Sequence, residues 1–287
     1  MSPSSDTKTL HRGAAVSVDA HPADVGKKSS VAQAVKAAAR PLIPTYHEIV
    51  PQPSPYLYAV TCDQFEDHLR ECSSWLGAAA QETGLPQITF DDGHLSNYHF
   101  AFPLLEKYRQ RAIFFVIAGW IGNRPEYMTW EQLREMSAAG HQVRSHGWSH
   151  AVLATCPASQ LDDELRRSKQ TIEDKLGVPV DSMSAPHGRW NRQVLGRAAA
   201  AGYSRVYISN PWITTHRREG VEVLGRLMVR RTTDSRQLLR LHTLGDSSRS
   251  LLNTRYHAKE LVRRVLGDKL YHRLWSRLAS WTPETRS

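Results

Sequence analysis

The chain has little cysteine. Cys62, Cys72 and Cys156 are its three, without a C-x-x-C pair among them. An odd count with that spacing excludes a disulfide framework and a cysteine zinc site as organising devices. The thiols read as reduced filler of a reducing compartment. Long apolar runs are also missing: no stretch approaches the ~20 residues of a membrane span. The first forty residues alternate small, polar and charged types, as in Ser2 to Ser5 and Lys27-Lys28-Ser29-Ser30, and lack the apolar core of a secretory signal. The expectation is therefore a cytoplasmic protein. No internal repeat is visible.

What is present fits a globular enzyme. Hydrophobic residues make up 40% of 287 residues, enough to bury a substantial core without staples. The formal charge of +9 suits an anionic partner such as an acidic glycan or a phospholipid surface. Charge alone does not choose among these, and no nucleic-acid partner is expected.

Three segments follow from the pattern. Residues 1–39 read as a flexible polar tail. Residues 40–245 alternate short apolar runs with helical periodicity. Strands are expected at Leu42 to His47, Gln87 to Phe90, Ala112 to Ala118, Gln142 to Ser145, Met183 to Pro186, Arg205 to Ser209 and Leu224 to Val229. Helices fall between them, with cap signals at Thr61, Thr129 and Asp234 and stop signals at Gly140, Gly177 and Gly202. Seven strand–helix units argue for a parallel sheet, closed or nearly closed into a barrel, with a doubly wound open sheet as the alternative. Residues 246–287 form a basic helical extension with an apolar stripe of Leu261, Val265, Leu270, Leu274, Leu278 and Trp281. That stripe either docks on the barrel or lies on an anionic membrane, with Trp275 and Trp281 near the headgroups.

Chemistry concentrates at strand ends. Thr89-Phe90-Asp91-Asp92-Gly93 ends one strand. Two adjacent carboxylates repel and need a cation or a shared proton, unless they are a solvated turn. Ser145-His146-Gly147-Trp148-Ser149-His150 ends another, with its histidines four residues apart. Two His and one Asp form a facial set that leaves metal positions open. Ala185-Pro186-His187-Gly188 ends a third.

In this order the motifs resemble the polysaccharide deacetylase family, the NodB-homology carbohydrate esterases. The resemblance covers roughly residues 42–242 and includes the helix-to-strand segment Phe100 to Val116. It implies a distorted (β/α)7 barrel and a hydrolase that removes N-acetyl or similar acyl groups from amino sugars of a glycan or lipid-linked oligosaccharide. In that reading Asp91 is the general base, and Asp92, His146 and His150 bind a divalent metal, usually Zn2+. The backbone N–H of His187 faces the oxyanion. Trp212 and Pro186 line the acyl pocket.

Two positions depart from the family pattern. Ser184 stands where an arginine orients the base, and Arg226, inside an otherwise apolar run, is the candidate replacement, with Arg144 as its rival. The usual L-x-H acid is missing; His47 of Tyr46-His47 is favoured over His242, which follows Arg240-Leu241. A small-amide amidase of the same fold and a glycan-binding relic remain as alternatives.

Overall fold

The computed structural model describes residues 42–213, 216–245, 247–258 and 261. All lie in one compact unit. The N-terminal tail, residues 1–39, lies outside the described residues.

Seven parallel strand positions form a ring. In spatial order they are β1 (Pro44–Tyr46), β4 (Ile88–Phe90), β5 (Ala112–Val116), β6 (Gln142–Ser145), β7 (Ser182–Ser184), β8 (Arg205–Ile208) and one bent strand made of β10 (Val221–Gly225) and β11 (Leu227–Met228). β10 pairs with β8 and β11 pairs with β1, both in parallel. The switch takes place at Arg226. Its N–H still donates to Ile208 O at 2.9 Å, while the next N–H, of Leu227, donates to Ile43 O at 2.8 Å. The bend depends on Gly225: a Cβ there would stand 2.0 Å from Asn210 O. The molecule is therefore the distorted (β/α)7 barrel that the motif order implies, and the open-sheet alternative is set aside. β9 (His216–Arg218) runs antiparallel on the outer edge of β10. β2 (Glu48–Val50) and β3 (Ala59–Thr61) make a separate two-stranded parallel sheet.

Side-chain alternation divides the core in two. On β5, Ile113 and Phe115 point inward to join Ile43, Tyr207 and Leu224. Ala112, Phe114 and Val116 face the helices and belong to the larger outer cluster. The helices are α1 (Cys62–Thr83), α2 (Phe102–Lys107), α3 (Trp130–Ala138), α4 (Ala158–Leu176), α5 (Arg192–Ala200) and α6 (Ser235–His242). Thr129 and Gln132 complete a reciprocal capping box on α3. At α1 only half of such a box forms. Thr61 caps Gln64 N–H, but the Gln64 side chain donates to the carbonyls of Arg231 and Thr233 instead.

The basic extension begins as a helix over 247–258. Asn253 Oδ1 accepts from Asn210 Nδ2 at 2.8 Å, so this helix touches the loop after β8. Most of the expected apolar stripe, and Trp275 beside it, lies outside the described residues. Among the described residues no helix is long and apolar enough to cross a membrane.

Candidate active site

The two aspartates after β4 meet opposite fates. Asp91 is buried and held from below. Arg226 Nη1 donates to its Oδ1 at 2.8 Å, Arg226 Nη2 to its Oδ2 at 2.7 Å, and Ser184 Oγ to the same Oδ2 at 3.2 Å. Arg226 itself is fully buried, with its guanidinium 5.1 Å from the Phe115 ring centre. Burial alone would push the Asp91 carboxyl up, but Arg226 and His146 together hold it well below the usual carboxylate range. Asp92 points away from this clamp, with φ of 74°. Its Oδ1 is buried without a hydrogen-bond partner. Burial, then the charges of Asp91 and Glu48, push the Asp92 carboxyl up to about 7.

That orphaned oxygen faces two imidazoles. His146 Nε2 and His150 Nε2 each lie 3.4 Å from Asp92 Oδ1. The three ligand atoms lie within 4.8 Å of one another. Two ligands about 2.0–2.1 Å from one tetrahedral ion stand roughly 3.3–3.4 Å apart, so the spacing fits a divalent cation. Donor chemistry agrees. Ser184 O accepts from His146 Nδ1 at 3.0 Å, which fixes the proton on Nδ1 and leaves the Nε2 lone pair facing Asp92. Burial lowers the proton affinity of His146 and takes that of His150 down to about 3, so both rings are neutral, as ligands must be. Asp92, His150 and His187 are all non-glycine residues in the left-handed region, at φ of 74°, 64° and 57°. Each such residue costs roughly 1–3 kcal/mol, and such residues cluster at functional sites.

The remaining expected residues divide by location. His47 sits at the end of β1, buried, with its Nδ1 unpartnered and its ring stacked on Tyr58 at 5.0 Å. Burial lowers it to about 4, against an upward pull from Asp91. His242 lies elsewhere, on α6, stacked on Trp75 of α1 at 4.2 Å. Arg144 is engaged by Asp181, with Nε donating to Oδ1 at 3.1 Å. The His187 ring packs 4.5 Å from that of His150, above the buried Pro186. Gly188 lets this turn close on β8, since a Cβ would meet Ser209 Oγ at 2.5 Å. Trp212 stands in the turn after β8, with its backbone N–H donating to Asn210 Oδ1 at 3.1 Å. Among the described residues its ring stacks on none of the site's histidines.

Sequence reasoning missed a rim of aromatic side chains. Trp120 packs 5.7 Å from His150 and 4.9 Å from Tyr127, while Tyr56 packs 5.8 Å from Tyr58. It also missed Glu164, a buried carboxylate on α4. The charged helix concealed it, although Leu161, Leu165, Ser168 and Ile172 mark the same face as buried.

A ring of parallel strands carrying a clamped aspartate beside a His–His–Asp set defines a class of barrel hydrolases. The family model described as polysaccharide deacetylase matches residues 56–206, and the chain belongs to this family. The chain is 33% identical over 142 residues to the polysaccharide deacetylase-named protein YxkH of Bacillus subtilis (strain 168), covering 50% of each. It is 33% identical over 127 residues to a chitooligosaccharide deacetylase of Bradyrhizobium sp. (strain ANU 289), covering 42% of this chain and 54% of that one. It thus spans about half the length of the curated relatives it matches. Among solved structures, the Streptococcus pyogenes deacetylase PplD in complex with acetate superposes with a TM-score of 0.63 at 23% identity, over 73% of this chain and 100% of that one. A polysaccharide deacetylase from Bacillus cereus gives a TM-score of 0.61 at 21% identity, over 69% and 67%.

Proposed function

We propose that the protein is a metal-dependent hydrolase that removes N-acetyl or similar acyl groups from amino sugars of a glycan or lipid-linked oligosaccharide. The observation that carries this reading is the division of labour between Asp91 and Asp92. One carboxylate is kept ionised by Arg226, and the other turns an unsatisfied oxygen toward two neutral imidazoles. The named activities of the chitooligosaccharide relative and of a chitin deacetylase from Pestalotiopsis sp., 30% identical over 116 residues, support the substrate class.

Asp92, His146 and His150 would hold the ion, Zn2+ by preference. Bound there, a divalent ion would supply Lewis-acid chemistry for the acyl carbonyl and lower the pKa of water toward ~7. Asp91, ionised at any working pH, takes the water's proton. The His187 backbone N–H faces the oxygen on which negative charge develops. His47 delivers a proton to the departing amine, which leaves only when protonated. Burial keeps its ring neutral. Negative charge building beside it adds to the pull of Asp91 and raises its hold on a proton when one is needed. Arg226 orients Asp91, and Trp212 and Pro186 are proposed to bound the acyl group. The convergent ligand set weighs against a metal-independent amidase and against a binding relic, which needs neither base nor ligands.

Mass spectrometry of a panel of N-acetylated sugars and oligosaccharides after incubation with metal-loaded protein tests this proposal. The reading calls for loss of 42 mass units per acetyl from at least one glycan. Cleavage of simple amides alone would transfer the site to the amidase reading. We further propose peripheral contact with an anionic membrane, at the inner face if the protein is cytoplasmic as its polar first forty residues suggest; the basic residues from 251 onward support that contact. Co-sedimentation with anionic vesicles, with and without that segment, tests it; no binding at low salt removes the membrane from the account.

A further inference from the structure

The loop that joins the two histidine ligands has nearly all its backbone groups accounted for, and the side chains that hold it come mainly from α4. Three successive N–H groups point into the protein. Gly147 N donates to Ser145 Oγ at 3.1 Å, and that hydroxyl is backed by Ser168 Oγ of α4 at 2.8 Å. Trp148 N and Ser149 N both donate to Glu164 Oε2, at 2.8 and 3.0 Å. The other carboxylate oxygen of Glu164 takes the Ser149 hydroxyl. The carbonyls of Gly147 and Trp148 accept from Ala118 N and Gly119 N at 3.1 and 3.0 Å. On the outer side, the Arg167 guanidinium lies 3.8 Å over the Trp148 ring.

Glu164 is 3% exposed. Among the described residues no lysine or arginine pairs with it. A buried carboxylate without a cation is costly unless hydrogen bonds satisfy it. Here the loop's own N–H groups do so, in the manner of a backbone nest closed on an anion. The fit is close: a Cβ on Gly147 would stand 3.1 Å from Glu164 Oε2. The residue that follows this grip is His150, whose φ of 64° is unfavourable for a histidine and persists only if its neighbours impose it.

We infer that Glu164 is a positioning residue for the metal centre, fixing the 147–149 loop so that His150 Nε2 is aimed at Asp92 before any ion arrives. This rests on the metal reading of Asp92, His146 and His150. Glu164 touches neither ion nor substrate; it acts through Trp148 and Ser149. The hold is one of hydrogen-bond geometry. Glutamine keeps one oxygen for the two N–H donors and turns an N–H toward the Ser149 hydroxyl. Aspartate keeps the charge but falls one methylene short.

The test is zinc affinity of the full chain, stripped and titrated against a chromophoric chelator, with thermal unfolding of the metal-free protein measured alongside. Glu164→Ala and Glu164→Asp are expected to weaken zinc binding about 10–100-fold, the range for removal of outer partners of metal ligands. Glu164→Gln is expected to stay within about threefold of wild type on the same scale. Leu195→Ala, which opens a cavity under the buried α5 face, supplies a variant destabilised without contact to the loop, and its zinc affinity should match wild type. If Glu164→Ala does not fold, Glu164→Asp carries the comparison. Zinc affinity unchanged in both Ala and Asp variants overturns the inference, as does a Gln variant as weak as Ala. Failure of wild-type protein itself to bind zinc would instead sink the metal reading on which the inference rests.

Discussion

Arg226 holds Asp91 by both arms of its guanidinium, at 2.8 and 2.7 Å, from the point where the last barrel strand changes neighbours. Ser184, on β7 where the resemblance puts an arginine, donates to the same carboxylate and accepts from Arg226 Nη2 at 2.6 Å. The charge has moved across the barrel, while the carboxylate it serves has stayed. A planar fork and a point charge are not equivalent at such a site. Arg226→Lys should therefore retain a folded protein but lose roughly 10–100-fold in kcat with little change in KM, because orientation rather than binding is disturbed. Arg226→Met leaves Asp91 buried and unpaired and should cost on the order of 3–5 kcal/mol in unfolding free energy. Wild-type kcat in the lysine variant would remove Arg226 from the orienting role.

Asp91→Asn separates chemistry from metal binding. The amide cannot accept the proton, yet Asp92, His146 and His150 are untouched. The variant should bind metal stoichiometrically and turn over at least ~100-fold more slowly. A rate near wild type would mean that another group is the base.

The two histidines proposed as acid occupy different places, His47 beside the Asp91 charge and His242 on the outer α1–α6 contact. His47→Ala should cut the rate at least ~100-fold and flatten the alkaline limb of the pH–rate profile, while His242→Ala should leave both intact. The reverse pattern would reassign the acid.

His68 gives the fold an acid-sensitive tie. Thr233 O accepts from its Nε2 at 2.9 Å, so Nδ1 is left to accept from the Tyr46 hydroxyl at 3.0 Å; the bond to Tyr46 needs the neutral ring. Burial takes His68 from 6.5 down to about 4. Because the unfolded chain takes up the proton first, this contribution is fully present above about pH 6.5 and is lost progressively as pH falls to about 4, amounting to up to about 3 kcal/mol. Denaturant unfolding of the metal-free protein should show a shallower loss between those pH values in His68→Gln than in wild type. Parallel slopes would contradict it.

The barrel was legible from seven alternations of strand and helix signals, clearest where an apolar run such as Ala112–Val116 forms a whole strand, and the strand ends put Asp91, His146 and Pro186 at one rim. Arg226 stood out as a charge inside the run Val221 to Val229. What stayed hidden has few side-chain signals. β2, β3 and β9 are three residues each and stand outside the strand–helix alternation that marked the equally short β1, β4 and β7. The helix that leads into β5 opens as a π turn over Asn97–Ala101, a backbone choice that leaves no mark on the apolar spacing. Glu164 needed a different reading. A lone carboxylate on a helix face otherwise made of Leu161, Leu165, Ser168 and Ile172 cannot be a solvated charge, and that was the available clue.

The claim on which the rest depends is that Asp92, His146 and His150 together hold one divalent ion required for turnover. Elemental analysis of wild-type protein and His146→Ala, each loaded and desalted in parallel and assayed for acetate release from an N-acetylated chitooligosaccharide, tests it most directly. The account predicts one equivalent of zinc in the wild type, loss of that zinc in the variant, and loss of acetate release with it. Stoichiometric zinc retained by His146→Ala, or acetate release by the metal-free wild type, would contradict it.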